Sequence, residues 1–422
     1  MEKTDQLKTN KAHIKPFLFL NFFLFAMLLN SVGIVILKAQ KVYGINPLQA
    51  STIEAFKDLP IAIAAFFVAS IISRIGYKTS MLFALGLITL TQLLMYYGNT
   101  YYLVLVLFAS IGFSFALIKI SVYTLIGLVS TSKNEHASLL SRVEAIFSLG
   151  VVFMFLFFPF FNDPDFEDAW LNAYLVLSFM SIVLFFWLLV TPFDLKTPQI
   201  DTSYFKEFKR FLILNRNIVV VIFLLSTFFF VAIEQGVMSW LPTFNNLGAQ
   251  LKENLAILTA GSFTLAIAFG RVLNSILVKK YNPFTILFIC IIASEFLIYY
   301  GIPITLSVDL EGVNSVFEIP FKFYTFSLVG LFLAPIYPNL NSVILSSTPV
   351  TLHSHMTGLI IIFSAVGGTL GSRFVGYLTN EFGIIYAFDR MFIPIAMLFL
   401  CVLMLKVLTT DTDDITEEYD FE

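Results

Sequence analysis

Charge, cysteine and histidine are all scarce in this chain of 422 residues. Charged side chains make up only 13% of it, too few to coat a soluble globular fold of this length. The two cysteines, Cys290 and Cys401, both lie in apolar runs, which argues against a disulfide framework or a cysteine metal cage. Of the four histidines, His353 and His355 flank Ser354 with no acidic or cysteine neighbour, so no metal site and no cofactor is expected. The net charge of -3 is small and gives no reason to expect nucleic acid as a partner. Zinc-protease motifs, Gly-rich phosphate loops and nucleophile elbows are missing from usable places, so the chain is not expected to be an enzyme.

Apolar residues fill the space that charge leaves. They make up 58% of the sequence, and the mean hydropathy is +0.87. These values belong to an integral membrane protein, with the lipid bilayer as its first partner. The first fifteen residues are polar and carry lysines, and the apolar run behind them is longer than a signal-peptide core and lacks a small-residue cleavage pattern. The N-terminus is therefore expected to stay attached and cytoplasmic.

Crossing a hydrocarbon core about 30 Å thick takes about 20 apolar residues. Such runs occur near 16–40, 49–73, 79–97, 101–130, 138–161 and 169–192, and again near 216–245, 252–279, 283–304, 320–346, 356–378 and 384–407. The sequence thus predicts an all-α membrane protein of about twelve transmembrane helices in two six-helix bundles. The expected divisions are a cytoplasmic N-terminal segment 1–15, a first bundle 16–192, a cytoplasmic central loop 193–215, a second bundle 216–407 and an acidic, disordered tail 408–422.

Basic residues set the orientation, because cytoplasmic loops collect Lys and Arg. With the N-terminus inside, the inner segments hold Lys3, Lys8, Lys11 and Lys15, Arg74 and Lys78, Lys133 and Arg142, a basic central loop, and Lys279 with Lys280. The outer segments hold Lys38, Lys41, Lys252, Lys322 and Arg390, beside acidic stretches at 163–168 and 309–318. Both termini are expected in the cytoplasm.

The halves also show a weak internal repeat. A shift of 205 positions lays VASIISRIGYKTSMLF from Val68 onto LNSILVKKYNPFTILF from Leu273 without a gap, and Arg74 then meets Lys279. The inner turn after the second span reads Ser73-Arg74-Ile75-Gly76-Tyr77-Lys78. Six plus six helices, a polar central loop and this basic Gly-containing turn resemble the major facilitator superfamily, whose signature places acidic and basic residues around a glycine at that point. Here Ser73 stands at the acidic position and Tyr77 at one basic position.

Within that superfamily, spans one to three, AIEQGVMSWLPTF from Ala232 and GLFLAPIYPNL from Gly330 look similar to the fucose:proton symporter group. The resemblance implies proton-coupled sugar import across a bacterial inner (plasma) membrane, by two bundles giving alternating access to a central cavity. The group tends to keep a carboxylate in span one and another in span four. This chain has Gly33 and Lys119 at those places.

The charges inside the spans carry the chemistry. Glu54, Lys57 and Asp58 fall within little more than one turn of span two, and a charge at membrane depth costs about 2.5–3.5 kcal/mol even on lenient scales. Glu54 and Asp58 share a helix face, and two acids close together in low dielectric cannot both ionise freely, which suits a proton carrier. The plainer reading is an electroneutral cluster held by Lys57. Lys119, deep in span four, either pairs with Asp58, Glu54 or Glu144, or, like Lys57, meets an anionic group on an acidic sugar. Glu144 either extends the proton path or pairs with Arg142 or Lys119.

Other polar groups at depth suit a sugar, which presents hydroxyl rims and an apolar face. Asn30 in span one, Glu234 and Gln235 with Trp240 in span seven, and Asn339 and Asn341 beside Pro335 and Pro338 in span ten are the substrate-binding candidates. Trp240 also reads as an interfacial anchor, and the span-ten prolines as a packed kink. Arg74, Gly76, Lys78, Arg271 and Arg373 are assigned to gating or structure, the two arginines of the second half near the inner side. Gly367, Gly368 and Gly371 are expected to allow close helix packing. Import by a monomeric symporter is the leading reading, and a major facilitator exporter or a non-transporting sensor of the same fold are the alternatives.

Overall fold

The computed structural model describes residues 2–130, 132–163, 165–191, 217–346 and 353–410. The expected central loop and the tail beyond 410 lie outside them. Among the described residues there is no strand, and one isolated bridge joins Asp163 to Phe166. The long apolar runs fold as helices because a backbone in lipid must satisfy its own hydrogen bonds.

Two compact units divide the chain, the first comprising Met1–Ile45 and Thr52–Asp201, the second Asn46–Ser51 and Thr202–Glu422. The first unit contains α1 (Glu2–Asn30), α2 (Val32–Val42), α4 (Thr52–Ile75), α5 (Tyr77–Gly98), α6 (Tyr101–Val129), α7 (Lys133–Phe157) and α8 (Leu171–Val190). The second holds α3 (Pro47–Ala50), α9 (Ile218–Thr243), α10 (Glu253–Leu277), α11 (Pro283–Leu306), α12 (Val329–Leu333), α13 (Ile336–Ser346), α14 (His353–Phe382), α15 (Ile384–Asp389) and α16 (Phe392–Thr410). Helix α1 starts at Glu2, so the segment expected to be a separate polar lead continues into the first span. Likewise α16 runs on to Thr410, past the expected start of the tail.

Ten described helices are long and apolar enough to cross a bilayer, and the pair α1 and α2, bent by 41°, makes an eleventh. Helix α4, with 24 residues and so about 36 Å long, brings the total to about twelve. The bend between α1 and α2 has a local cause. Asn30 donates to the Ala26 carbonyl at 2.8 Å and the Ser31 hydroxyl bonds the Leu28 carbonyl at 2.8 Å, side chains competing with the helix ladder. Tyr174 of α8 holds the same hydroxyl at 3.0 Å, which fixes the bend to a neighbour.

In the first unit α4 packs mainly on α6, and α1 on α7. A β-carbon at Gly112 of α6 would lie 2.1 Å from the Lys57 carbonyl oxygen, so the two backbones touch at the level of the charged cluster. In the second unit α9 packs mainly on α14. Gly367 and Gly371 rest there against the carbonyls of Phe228 and Ala232, where added β-carbons would fall 2.5 and 2.2 Å away. Small residues four apart permit this approach where lipid gives helices no hydrophobic reason to associate.

Span ten is broken, as its prolines predict. A 3-10 stretch, Phe321–Leu328, leads into α12, and the chain turns at Ala334 and Pro335 before α13. Asn339 caps the break, donating to the Pro335 carbonyl at 2.7 Å and to Asn274 of α10 at 2.8 Å. Pro60, by contrast, does not interrupt α4, which runs as one helix through it.

Candidate functional site

The charged cluster of α4 is buried. Glu54 is 0% exposed, Lys57 5% and Asp58 8%. The Lys57 ammonium donates to Glu54 Oε1 and stands 3.5 Å from Asp58 Oδ1. Lys57 therefore engages two carboxylates, and of the two it holds Asp58 more loosely. Fully ionised, the trio carries one net negative charge, and one proton makes it neutral.

Lys119 has a different setting. Phe115, Lys119 and Tyr123 fall four residues apart on one face of α6. The Lys119 amine lies 5.7 Å from the ring centroids of both Phe115 and Tyr123. Phe22 of α1 and Phe147 of α7 complete the surround, with Phe22 5.9 Å from Tyr123 and Phe115 5.8 Å from Phe147. Cation–π contacts of this kind contribute about 0.5–2 kcal/mol, less than the cost of a charge at depth. Among the described residues Lys119 makes no ion pair within 4.0 Å, although the Glu144 charge reaches it. Both acids of α4 are engaged by Lys57, so the expected pairing of Lys119 with Asp58 or Glu54 does not form. Nor does Glu144 pair with Arg142; its carboxylate accepts the Tyr123 hydroxyl instead.

The second unit offers mostly neutral groups. Glu234 and Gln235 are partly exposed on α9, and neither side chain makes a hydrogen bond to a described residue. The charge of Arg271 on α10 acts on Glu234. Tyr337 of α13 stacks on Phe230 of α9 at 5.6 Å, within electrostatic reach of Glu234, Asn341 and Ser364. The Asn341 carbonyl oxygen and the hydroxyls of Ser364 and Thr369 are enclosed without a well-aligned partner among the described residues. Buried polar atoms left open in this way are able to receive a ligand's hydroxyls.

Several candidates instead hold the fold together. Trp240 is 0% exposed, and its indole N–H donates to Ser372 of α14 at 3.0 Å. An enclosed indole with its one donor engaged belongs to helix packing, neither to an interface belt nor to a sugar face. Asn339 is engaged at the span-ten break, and Asn30 at the α1 bend. Gly76, with φ of +84°, makes the turn between α4 and α5. Lys78 then donates to the carbonyls of Leu189 and Thr191 at 3.0 and 2.8 Å, capping the end of α8. The Arg74 side chain lies outside the described residues. Arg373 donates to the Leu48 carbonyl beside α3 at 3.3 Å. It stands twenty residues, about 30 Å, from the start of α14.

Sequence reasoning overlooked Tyr123, Phe115, Tyr337, Ser364 and Gly112. The four-residue spacing around Lys119 could have revealed the first two, and Tyr337 lies inside the APIYPNLNS motif itself. Nothing local marks Ser364 or Gly112, whose roles come from neighbours distant in sequence.

A family model described as Major Facilitator Superfamily matches residues 18–372. The chain belongs to the Major Facilitator Superfamily. Solved structures of the superfamily share its fold at low identity. A nucleoside transporter, NupG, superposes with a TM-score of 0.72 at 13% identity, over 94% of this chain and 99% of that one. The E. coli fucose:proton symporter FucP gives 0.60 at 15% identity, over 93% and 99%. A D-xylose-proton symporter gives 0.71 at 13% identity, over 93% and 96%. No curated protein matches the chain. This member of the superfamily is an integral membrane protein with a transporter fold, and its sequence is far from each of these relatives.

Proposed function

We propose that this chain is a secondary active transporter that imports a monosaccharide or sugar derivative together with a proton, by alternating access. It works as a monomer in a bacterial inner (plasma) membrane with both termini in the cytoplasm. The observation that carries the reading is the enclosed trio Glu54, Lys57 and Asp58, two carboxylates on one ammonium inside a spanning helix. A proton on Asp58 switches the trio between one negative charge and none, and a carrier that crosses lipid more easily when neutral gains its coupling from that switch. The open oxygens of Asn341, Ser364 and Thr369, with Tyr337 beside them, are the groups for sugar hydroxyls. Support for a sugar comes from the fucose and xylose symporters that share the fold, and the positive-inside pattern supports the orientation.

Uptake into proteoliposomes, with and without an inward proton gradient, tests the reading. Asp58→Asn is expected to keep equilibrium exchange of substrate and to lose acceleration by the gradient. Unchanged acceleration in Asp58→Asn, or uptake driven by sodium and indifferent to pH, would overturn it.

A further inference from the structure

We infer that the Lys119 pocket is the receptor for a single carboxylate on the substrate, so that the transported compound is a monoanionic acid such as a sugar acid. This rests on the transport reading above and names its substrate class. Of the lysines in the first unit's spans, Lys38 near the end of α2 donates to Asn162, which leaves Lys57 and Lys119 as the candidates. Lys57 already holds Glu54 and Asp58, and at 5% exposure it has no room for a third anion. Lys119 is partly exposed and has no ion pair within 4.0 Å among the described residues. It stands ten residues, about 15 Å, from the end of α6, too far for its stem to carry the amine to the membrane surface.

The nearest charge that could quench it is restrained. The Glu144 carboxylate is turned to the Tyr123 hydroxyl, on the same face of α6 as Lys119. The amine is therefore bordered by the rings of Phe115 and Tyr123, and the residue remains partly exposed. An ammonium has one unit of charge and no planar fork, so a monovalent carboxylate suits it better than a phosphate dianion. The rings of Phe115, Tyr123 and Phe22 offer an apolar wall to the C–H face of whatever skeleton bears that carboxylate.

The purified full chain would be assayed by thermal stabilisation and by proteoliposome uptake with D-glucuronate, D-gluconate, D-glucose and L-lactate as probes. Glucuronate or gluconate is expected to act at a concentration about tenfold or more below that of glucose, as a charge-assisted hydrogen bond implies. Lys119→Gln should erase that preference and Lys119→Arg should retain most of it, which separates loss of the charge from loss of the fold. Equal response to acid and neutral sugars, or no response to any carboxylate, overturns the inference. A preference for the acid over glucose that survives Lys119→Gln leaves sugar transport standing and removes the anion site. Stabilisation by L-lactate through Lys119, with no sugar carried, keeps the anion site and removes the sugar reading.

Discussion

The first unit holds a buried cluster of charges among its polar groups, and the buried polar groups of the second are mostly neutral. In the first, Glu54, Lys57 and Asp58 close on each other, Lys119 sits between aromatic rings, and Glu144 takes the Tyr123 hydroxyl. In the second, Asn341, Ser364 and Thr369 leave open oxygens, beside the charged groups Glu234, Arg271, Glu295 and Arg373. Charges respond to protons and ions, whereas amides and hydroxyls read the pattern of donors and acceptors on a ligand. On the function proposed above, the contrast gives coupling and anion capture to one unit, and hydroxyl recognition to the other.

The strongest way to break this contrast is to remove the cation of the trio. Lys57→Gln strands two buried carboxylates and is expected to destabilise the chain by about 3–5 kcal/mol, visible as a lower midpoint in detergent unfolding. A stable Lys57→Gln would mean that the carboxylates are already neutral without it. Next comes Gly112→Ala, whose new methyl meets backbone at Lys57 and cannot be relieved by a rotamer change. A loss of about 1–3 kcal/mol is expected, with gradient-driven uptake impaired more than exchange. Impairment of both alike would detach the α4 and α6 contact from coupling.

A smaller effect sharpens the other side. Tyr337→Phe and Ser364→Ala should each weaken substrate binding by about 0.5–1.5 kcal/mol, seen as a raised KM, and should leave the pH dependence of uptake where it was. A shifted pH profile would place charge control in the second unit as well. The smallest expected effect lies outside the spans. Tyr43 donates to Asn99 at 2.8 Å, and Asn99 donates to Asp168 at 2.7 Å. Burial first, and the Asp168 charge second, push the Tyr43 hydroxyl above its ordinary range. Its contribution is whole below about pH 10, where the unfolded phenol is still protonated, and is lost as pH rises through the higher folded value. Stability curves of the native chain and Tyr43→Phe should therefore converge above that pH and differ by a constant below it.

The span pattern was legible because lipid forces it: each of the twelve runs corresponds to a helix or a broken helix. The broken tenth span was legible too, since proline cannot complete the ladder at Pro335. What the chain does with its charges was less so. That Lys57 takes both neighbouring acids follows from local spacing, but Glu144 meeting Tyr123, rather than Arg142 or Lys119, depends on how α7 lies on α6. Trp240 misled for a similar reason. A tryptophan near a helix end suits an interface or a sugar equally well, and its enclosure by α14 depends on glycines more than a hundred residues later.

The asparagine at the span-ten break has a mechanical meaning. Proline leaves a hinge, and hinges in lipid are usually held shut by the need to keep every carbonyl bonded. Asn339 lies one turn past Pro335 and holds its carbonyl both by its backbone N–H at 3.3 Å and by its side-chain amide at 2.7 Å. The same amide grips Asn274 on α10. Span ten is therefore tied to span eight at its break, so that a movement of α13 would act on α10 through this pair.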